Sequence, residues 1–274
     1  MAIISFWTED DKETGQTSTA IAVATQMAIQ HNKKVLLIST YENNKEIEAA
    51  YLKPQAQKTN LLSLLNLTKK SVGIESGVTG LMKIEGSNKL SPELIKDYTG
   101  IIFKDRLEVL SGYDGVETPT IDAFYVSLIK KASMVYDIVL VDLKKGINQL
   151  SQDILTVSDV IVYGMTQKRH SIEGYAKSRR EGYTYNIVGY IGRYDKFSKY
   201  TQKNIIRSIK TKDSLFPIVY NTLFSDACDE GLVVDYFLKM QTISDKDRNA
   251  KFLNNVKDLI QGILYKIDEM QMMR

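Results

Sequence analysis

Short apolar runs alternate with longer segments of helical periodicity along most of the chain. The runs are rich in β-branched residues and nearly continuous, which is typical of strands that a sheet buries on both faces. They occupy residues 2–7, 34–40, 100–105, 107–112, 136–146, 160–166, 185–195 and 215–221. Segments of helical pattern lie between them, at 17–31, 119–133, 151–160, 171–182, 198–210 and 251–274. The pattern therefore predicts strands that alternate with helices.

This alternation predicts an α/β fold, in which a doubly wound, mainly parallel sheet carries helices on both faces. One of the neighbouring runs 100–105 and 107–112 is expected to form an edge strand. Residues 43–99 follow no regular pattern, and we expect short helices there that cap the sheet, within a single domain spanning residues 1–274. Ligands of such sheets bind beyond the carboxyl ends of the strands. Four loop segments fall at that edge, namely 8–17, 39–44, 142–146 and 192–196.

Composition narrows the class of protein only a little. The 274 residues are 43% apolar and 25% charged, as in an average globular protein, and the net charge of +3 by itself predicts no polyanionic partner. The single cysteine, Cys228, excludes an intramolecular disulfide framework and fits a reducing compartment. His31 and His170 are isolated and lack metal-ligand spacing. We find neither a signal-peptide pattern nor an apolar run long enough to span a bilayer, so we expect a cytoplasmic protein.

The loop after the first strand, within FWTEDDKETGQTSTAIA at residues 6–22, carries the main indication of function. A strand, a loop and a helix follow one another there as in a phosphate-binding loop, which presents backbone N–H groups at a helix N-terminus. Gly15 is present and Thr17 and Ser18 follow it, but Gln16 stands where such a loop places a lysine. The alternative is an ordinary strand-to-helix turn with a threonine N-cap.

This loop resembles that of the ParA/MinD group of P-loop proteins, which includes the pilus-assembly relatives called CpaE and TadZ. The group's loop has the form K-G-G-x-G-K-T-[TS], which aligns with residues 11–18. The first lysine, which reaches a partner, corresponds to Asp11, or to Lys12 after a shift of one residue. The second lysine, which contacts phosphate, corresponds to Gln16, and Thr17 corresponds to the threonine that binds Mg²⁺.

Other segments resemble the same family, in the same order along the chain. YDIVLVDLKKG resembles the Walker B strand and retains Asp142, whereas KKVLLIST lacks the aspartate pair that the family carries near Ser39 and Tyr41. VGYIGRYD resembles a segment that reads the base with an asparagine, and Gly192 stands at that position. Two further matches are LEVLSG and the segment FPIVYN followed by Asp226, Ala227 and Gly231.

The resemblance also implies a nucleotide site. The residues that it assigns to ATP are Gly15, Gln16, Thr17, Ser18 and Asp142, with Mg²⁺ at Thr17 and Asp142. The missing lysine removes a charge from this site, and Asp11 and Glu13 would repel a polyphosphate. We therefore expect weak or absent nucleotide binding and little ATPase activity. The alternative for Asp142 is a structural carboxylate that pairs with Thr17 or Ser18.

On this basis the sequence predicts a noncatalytic or weakly nucleotide-binding ParA/MinD-like scaffold or positioning protein, serving pilus or secretion assembly. The resembled family acts as nucleotide-sandwiched dimers, so we expect a homodimer or a protein partner in such a complex. One alternative is a slow ATPase that binds ATP and Mg²⁺ through Gly15, Thr17 and Asp142. Another alternative is a partition protein that binds DNA without sequence specificity.

The segment 168–212 is strongly basic, with 12 Lys or Arg and only 3 Asp or Glu, so the rest of the chain is net acidic. Tyrosines are interleaved with these charges, at Tyr175, Tyr183, Tyr185, Tyr190, Tyr194 and Tyr200. A basic, aromatic surface binds nucleic acid or anionic lipid in other proteins. The alternative is a solvated helical face that lies opposite an acidic partner.

Two further features have alternative interpretations. The apolar stripe of the segment 251–274 resembles a membrane-targeting helix, which would place the protein at the membrane periphery. Its polar face mixes acids with lysines, however, which favours a final helix packed on the sheet.

Lys144 and Lys145 replace prolines of the resembled family; they are expected to be solvated or, alternatively, to supply positive charge to the site.

Overall fold

In a computed structural model, the described residues are 1–10, 14–43, 45–52, 77–85, 90–115, 119–181, 186–244, 246–247 and 249–272. Eight strands in this part of the chain form one sheet. They are β1 (Ala2–Trp7), β2 (Val35–Ser39), β3 (Gly100–Phe103), β4 (Leu107–Leu110), β5 (Ile138–Asp142), β6 (Val160–Met165), β7 (Ile187–Ile191) and β8 (Leu215–Pro217). Each strand lies within one of the eight apolar runs, which confirms the predicted strands.

The strand order is β3-β4-β2-β5-β1-β6-β7-β8, and the sheet is parallel except at β3. Ile4 of β1 lies beside Leu140 of β5 on one side and Val160 of β6 on the other. β3 runs antiparallel to β4 at one edge of the sheet. The predicted mainly parallel sheet and its edge strand are therefore confirmed.

Helices connect the strands and cover the sheet. They are α1 (Gln16–Gln30), α2 (Glu46–Ala49), α3 (Gly77–Glu85), α4 (Pro119–Ala132), α5 (Gln149–Val157), α6 (Arg169–Glu181), α7 (Gln202–Ile209), α8 (Thr222–Asp229), α9 (Val233–Met240) and α10 (Ala250–Met272). A 3₁₀ helix spans Glu93–Tyr98. The described part of 43–99 thus holds short helices, as expected; residues 44, 53–76 and 86–89 lie outside the described residues.

The sequence pattern does not predict α8 and α9. Each helix has 8 residues, which is too short for a clear periodicity. A usable signal was Asn221, because its side chain accepts a hydrogen bond from the backbone N–H of Phe224 and so caps α8.

The sheet separates two hydrophobic cores, because successive side chains of a strand point to opposite faces. Ile4 and Phe6 lie in one core, whereas Ile3 and Trp7 lie in the other. The first core contains α1, α8, α9 and α10, and the second contains α4, α5, α6 and α7. Burial on both faces explains why the strands are continuous apolar runs rather than alternating ones.

Helix α10 packs against α1 and strands β6 to β8 through its apolar stripe. Val256, Leu259 and Ile263 are fully buried, and Tyr265 on the opposite side is 70% exposed. The prediction that this helix packs on the sheet is confirmed, and the core occupies the apolar face that a membrane-targeting helix would present. Within the described residues, we find no helix of the length and apolarity that a membrane crossing requires.

Shortening one buried side chain of α10 tests this packing. Ile263→Val removes one methylene group from a fully buried position, so the free energy of unfolding is expected to fall by about 1 kcal/mol. Tyr265→Leu on the same helix is the control and is expected to change it by less than about 0.5 kcal/mol. Urea unfolding measures both values. Equal effects would contradict the burial of the stripe.

Candidate functional site

The loops beyond the carboxyl ends of β1, β2 and β5 are joined by hydrogen bonds at one edge of the sheet. The backbone N–H of Leu143 donates to the Phe6 carbonyl, and that of Gly146 donates to the Thr8 carbonyl. The Thr40 hydroxyl accepts from the Lys144 N–H at 2.9 Å. These contacts bring together three of the segments predicted to meet here.

The fourth segment follows β7 and touches the loop before α1. A Cβ atom built on Gly192 would lie 1.8 Å from the Thr14 carbonyl oxygen and 2.8 Å from its carbonyl carbon. Only a glycine allows this approach, so the position that holds a base-reading asparagine in the resembled family has no room here for a side chain. The path of the loop at Thr14 therefore requires a glycine at position 192.

Gly15 ends the loop and begins α1. It is the N-cap residue in the left-handed region, with φ 71° and ψ 29°, which favours glycine because a side chain is strained there. Its carbonyl accepts from the Thr19 N–H at 2.8 Å. The alternative of a threonine N-cap is therefore wrong. The predicted contributions of Asp11, Lys12 and Glu13 lie outside the described residues.

Gln16 is buried and turned toward the end of β5. Its amide nitrogen donates to Asp142 Oδ1 at 2.7 Å and to the Leu143 carbonyl at 2.6 Å. Both partners are acceptors, which requires the nitrogen rather than the oxygen of the amide to face them. Gln16 is 1% exposed, and its Oε1 has no hydrogen-bond partner among the described residues. Gln16 is thus part of a buried polar cluster.

Asp142 is the centre of this cluster. The Thr17 hydroxyl donates to its Oδ2 at 2.7 Å, which confirms the pairing with Thr17, whereas Ser18 is exposed. Burial raises the pKa of Asp142 to about 6 from an ordinary value of 3.8, although the hydrogen bonds from Gln16 and Thr17 act to lower it. The carboxylate therefore pays a desolvation cost that two donors offset only in part.

A cavity of about 420 Å³ lies in front of residues 15–18. Two cations border it, Lys145 and Arg193, together with two carboxylates, Glu46 and Asp229. Lys145 at the cavity wall fits the alternative that this lysine pair supplies positive charge to the site, rather than the favoured expectation that both are solvated. Lys144 instead forms an ion pair with Glu42, with 3.2 Å between Nζ and Oε2. The cavity carries balanced charge rather than an excess of cations.

The end of β2 offers no carboxylate where the resembled family has its aspartate pair. Ser39 is buried, and its carbonyl accepts from the Tyr125 hydroxyl at 3.2 Å. The Tyr41 hydroxyl is buried as well, and burial raises its pKa far above the ordinary value, so that it stays neutral. Neither side chain can act as a general base near neutral pH.

Other candidate groups have structural surroundings. Cys228 borders the cavity, and burial raises the pKa of its thiol to about 12, which keeps it protonated. His170 lies with Nε2 3.2 Å from Asp10 Oδ2. The described residues contain no cluster of three or more His, Cys, Asp or Glu suited to a metal ion.

The basic segment 168–212 differs from its predicted form. Tyr175 and Tyr190 are core residues with no exposed surface, so their assignment to a basic, aromatic surface is wrong. Tyr183 and Tyr185 lie outside the described residues. The exposed aromatic side chain that the sequence argument missed is Phe197, which is 84% exposed with the Lys196 ammonium 4.9 Å from its ring centre.

The fold and the loop at its carboxyl edge define the class: a P-loop NTPase-like α/β fold of the ParA/MinD type. The chain is similar to a ParA family ATPase from Chlorobium tepidum, with 14% identity and a TM-score of 0.68 over 95% of this chain and 98% of that one. It is similar to a putative plasmid partition protein from Borrelia burgdorferi bound to AMPPNP, with 16% identity, a TM-score of 0.64, and coverage of 97% and 99%.

A third similar structure is the MinC:MinD cell division protein complex of Aquifex aeolicus, with 14% identity, a TM-score of 0.64, and coverage of 95% and 96%. At such identities the likeness establishes the fold. No protein-family model matches the sequence, and no curated protein matches it either.

Proposed function

We propose that this protein is a noncatalytic ParA/MinD-like scaffold or positioning factor that binds nucleotide weakly or not at all. The observation that carries the proposal is the direction of the Gln16 side chain. Its amide nitrogen is held by Asp142 and by the Leu143 carbonyl, at 2.7 and 2.6 Å. The group at the position of the phosphate-contacting lysine is therefore neutral and faces the protein interior.

The charges around the cavity support weak nucleotide binding. A polyphosphate needs an excess of cationic donors, because charge-assisted hydrogen bonds supply most of the affinity for phosphate. Here Lys145 and Arg193 are balanced by Glu46 and Asp229 at the cavity wall. The buried carboxylate of Asp142 adds negative charge behind Gln16. These groups do not form a phosphate clamp.

The oxygen atoms that the resemblance assigns to Mg²⁺ are present, but they are hydrogen-bonded to each other. The Thr17 hydroxyl donates to Asp142 at 2.7 Å, and Gln16 holds the second carboxylate oxygen. Mg²⁺ is usually bound by one or two carboxylates together with waters and substrate phosphates. Without a firmly held polyphosphate, Thr17 and Asp142 do not make a tight Mg²⁺ site. The residues thus do not fit tightly bound ATP–Mg²⁺.

A scaffold role needs a protein partner or a second copy of the chain. The resemblance to the pilus-assembly relatives supports a partner in a pilus or secretion complex. A similar fold in complex with another protein, the MinC:MinD assembly, supports partner binding by proteins of this architecture. A homodimer is also part of the proposal, because the resembled family acts as dimers.

Calorimetry with ATP and Mg²⁺ tests the proposal. The wild-type protein is expected to bind with a dissociation constant weaker than about 100 μM. Gln16→Lys places a cation at the phosphate position, so it is expected to tighten binding at least about tenfold, because one close charge pair contributes more than 1.4 kcal/mol. Submicromolar binding by the wild type would overturn the proposal in favour of a slow ATPase.

The matched control is Gln16→Met, which preserves the length of the side chain and carries no charge. It is expected to leave ATP binding as weak as in the wild type. A gain of affinity with methionine would show that removal of the amide, rather than the added charge, opens the site. No gain with lysine would show that the loop geometry itself excludes phosphate.

A further inference from the structure

A groove separates α6 from α7 on the flank of the sheet, away from the cavity in front of Gly15. Its volume is about 530 Å³. Four cationic side chains line it, but only one carboxylate does, that of Glu173; the cations are Arg169, Arg179, Arg180 and Lys210. The groove is thus a strongly positive recess rather than a balanced surface.

Two of the four cations are available to a ligand. Arg180 and Lys210 are exposed, and neither side chain forms an ion pair or a hydrogen bond with another described residue. Arg179 is instead paired with Asp213. Arg169 lies 3.9 Å from Glu173, at a distance and exposure where an ion pair contributes little. An incoming carboxylate would therefore not have to displace a strong partner at Arg180 or Lys210.

The groove also has apolar lining residues, here called its floor, although the polar Ser208 and Thr211 line it as well. Ile172 and Ile209 belong to the second core or pack against it, and the ring of Tyr200 closes one side. Ala176 of α6 also lines the groove, and its short side chain leaves room for a larger apolar group. A ligand that fits must therefore combine negative charge with apolar side chains.

We propose that this groove binds an acidic, amphipathic segment of a partner protein, with carboxylates at Arg180 and Lys210 and apolar side chains on the floor. Arginine binds carboxylates in a planar, two-pronged geometry, and apolar contacts supply the burial that charge alone does not. A recess with an apolar floor fits a nucleic-acid backbone poorly, because phosphates need polar contacts throughout. It fits a membrane poorly too, because insertion needs protruding apolar groups.

This proposal does not depend on the state of the nucleotide site. The groove shares no lining residue with the cavity in front of residues 15–18. Tight ATP binding would overturn the proposed function and leave the groove proposal standing. Absence of peptide binding would overturn the groove proposal and leave the proposed function standing.

Fluorescence anisotropy with the full chain and three labelled peptides tests the proposal. The first peptide has Leu and Glu at helical spacing and is about as long as α6, with its 13 residues. The second replaces every Glu with Lys, and the third replaces every Leu with Ser. Only the first is expected to bind, with a dissociation constant of about 10–100 μM at low salt, weakening as salt screens the charges.

Variants locate the binding. The double variant Arg180→Glu, Lys210→Glu is expected to weaken binding at least about tenfold, because both cations that would meet the peptide's carboxylates become acidic. Ala176→Trp fills the floor without a change of charge and is expected to weaken binding about as much. Lys104→Glu, in the turn between β3 and β4, makes the same kind of charge reversal elsewhere and is expected to stay within about twofold of the wild type.

Each variant is first compared with the wild type by thermal unfolding, because Arg180 lies in the last turn of α6, where a cation stabilises a helix. If the reversed pair destabilises the fold, Ala176→Trp decides alone. Absence of binding by the Leu–Glu peptide, or equal binding by the wild type and both groove variants, overturns the proposal. Binding of a duplex oligonucleotide or of phosphatidylglycerol vesicles in place of the peptide overturns it as well.

Discussion

Gly192→Ala is expected to lower the free energy of unfolding by about 3 kcal/mol, measured by urea denaturation. The added Cβ would lie 1.8 Å from the carbonyl oxygen of Thr14, which is far inside van der Waals contact. The obstacle is backbone, so no side chain can rotate to relieve it. Either the loop before Gly15 or the end of β7 must move, and Gly192 also donates its N–H to the Met165 carbonyl at 2.8 Å.

Gly146→Ala is the control for this prediction. Gly146 lies at the same edge of the sheet, and a Cβ there would meet nothing within 4 Å, but its φ of 83° is in the left-handed region. The expected loss is about 1 kcal/mol, from backbone strain alone. If Gly192→Ala costs no more than Gly146→Ala, the close approach of β7 and the loop does not exist.

Gln16→Ala is expected to lower the free energy of unfolding by about 3 kcal/mol at about pH 8, and by clearly less at about pH 5. The change removes a donor from a buried carboxylate. In the folded protein the pKa of Asp142 is about 6, against an ordinary 3.8, so the folded state binds more protons between these values. Its stability therefore falls as the pH rises through this window.

Loss of the Gln16 donor raises the folded pKa of Asp142 further, because that hydrogen bond favours the charged form. The stability difference between wild type and variant consequently grows as the pH rises above about 5, where the wild-type carboxyl begins to ionise. Urea unfolding at both pH values measures the effect. A difference that is the same at both would contradict the contact between Gln16 and Asp142.

Gln26→Ala provides a matched control on the same helix. Gln26 is fully buried like Gln16, but its hydrogen bond is to another amide, from Gln241 Nε2 to Gln26 Oε1 at 3.0 Å. No carboxylate depends on it. The variant is expected to lose stability by an amount that does not change with pH. The comparison therefore separates the loss of a buried glutamine from the loss of a hydrogen-bond donor to the charged Asp142.

Much of the architecture follows from the sequence, because a strand buried on both faces must be a continuous apolar run. VLLIS of β2 and IVLVD of β5 are such runs, and their length and composition distinguish them from the helices between them. The placement of four loops at the carboxyl edge follows as well, since parallel strands end on the same side. The short helices α8 and α9 escape this reasoning because two turns carry too little periodicity.

The candidate site residues were named from the sequence, but their arrangement could not be. Gln16 and Asp142 are separated by 126 positions, and their contact depends on β1 and β5 being neighbours in the sheet. The sequence alone could not tell whether Gln16 faces a ligand or the protein. The burial of Asp142 explains why Gln16 faces the protein, because a fully buried carboxylate needs hydrogen-bond donors inside the fold.

The residue types along the chain are enough to predict a mainly parallel sheet, because each buried strand must be a continuous apolar run. Three features became visible only in the folded chain: the inward hydrogen bond of Gln16, the contact of Gly192 with the Thr14 backbone, and the place of Tyr175 in the core. Periodicity reports which face of an element is buried. Contacts between distant segments depend on strand order and on the exact path of loops, which no local pattern encodes.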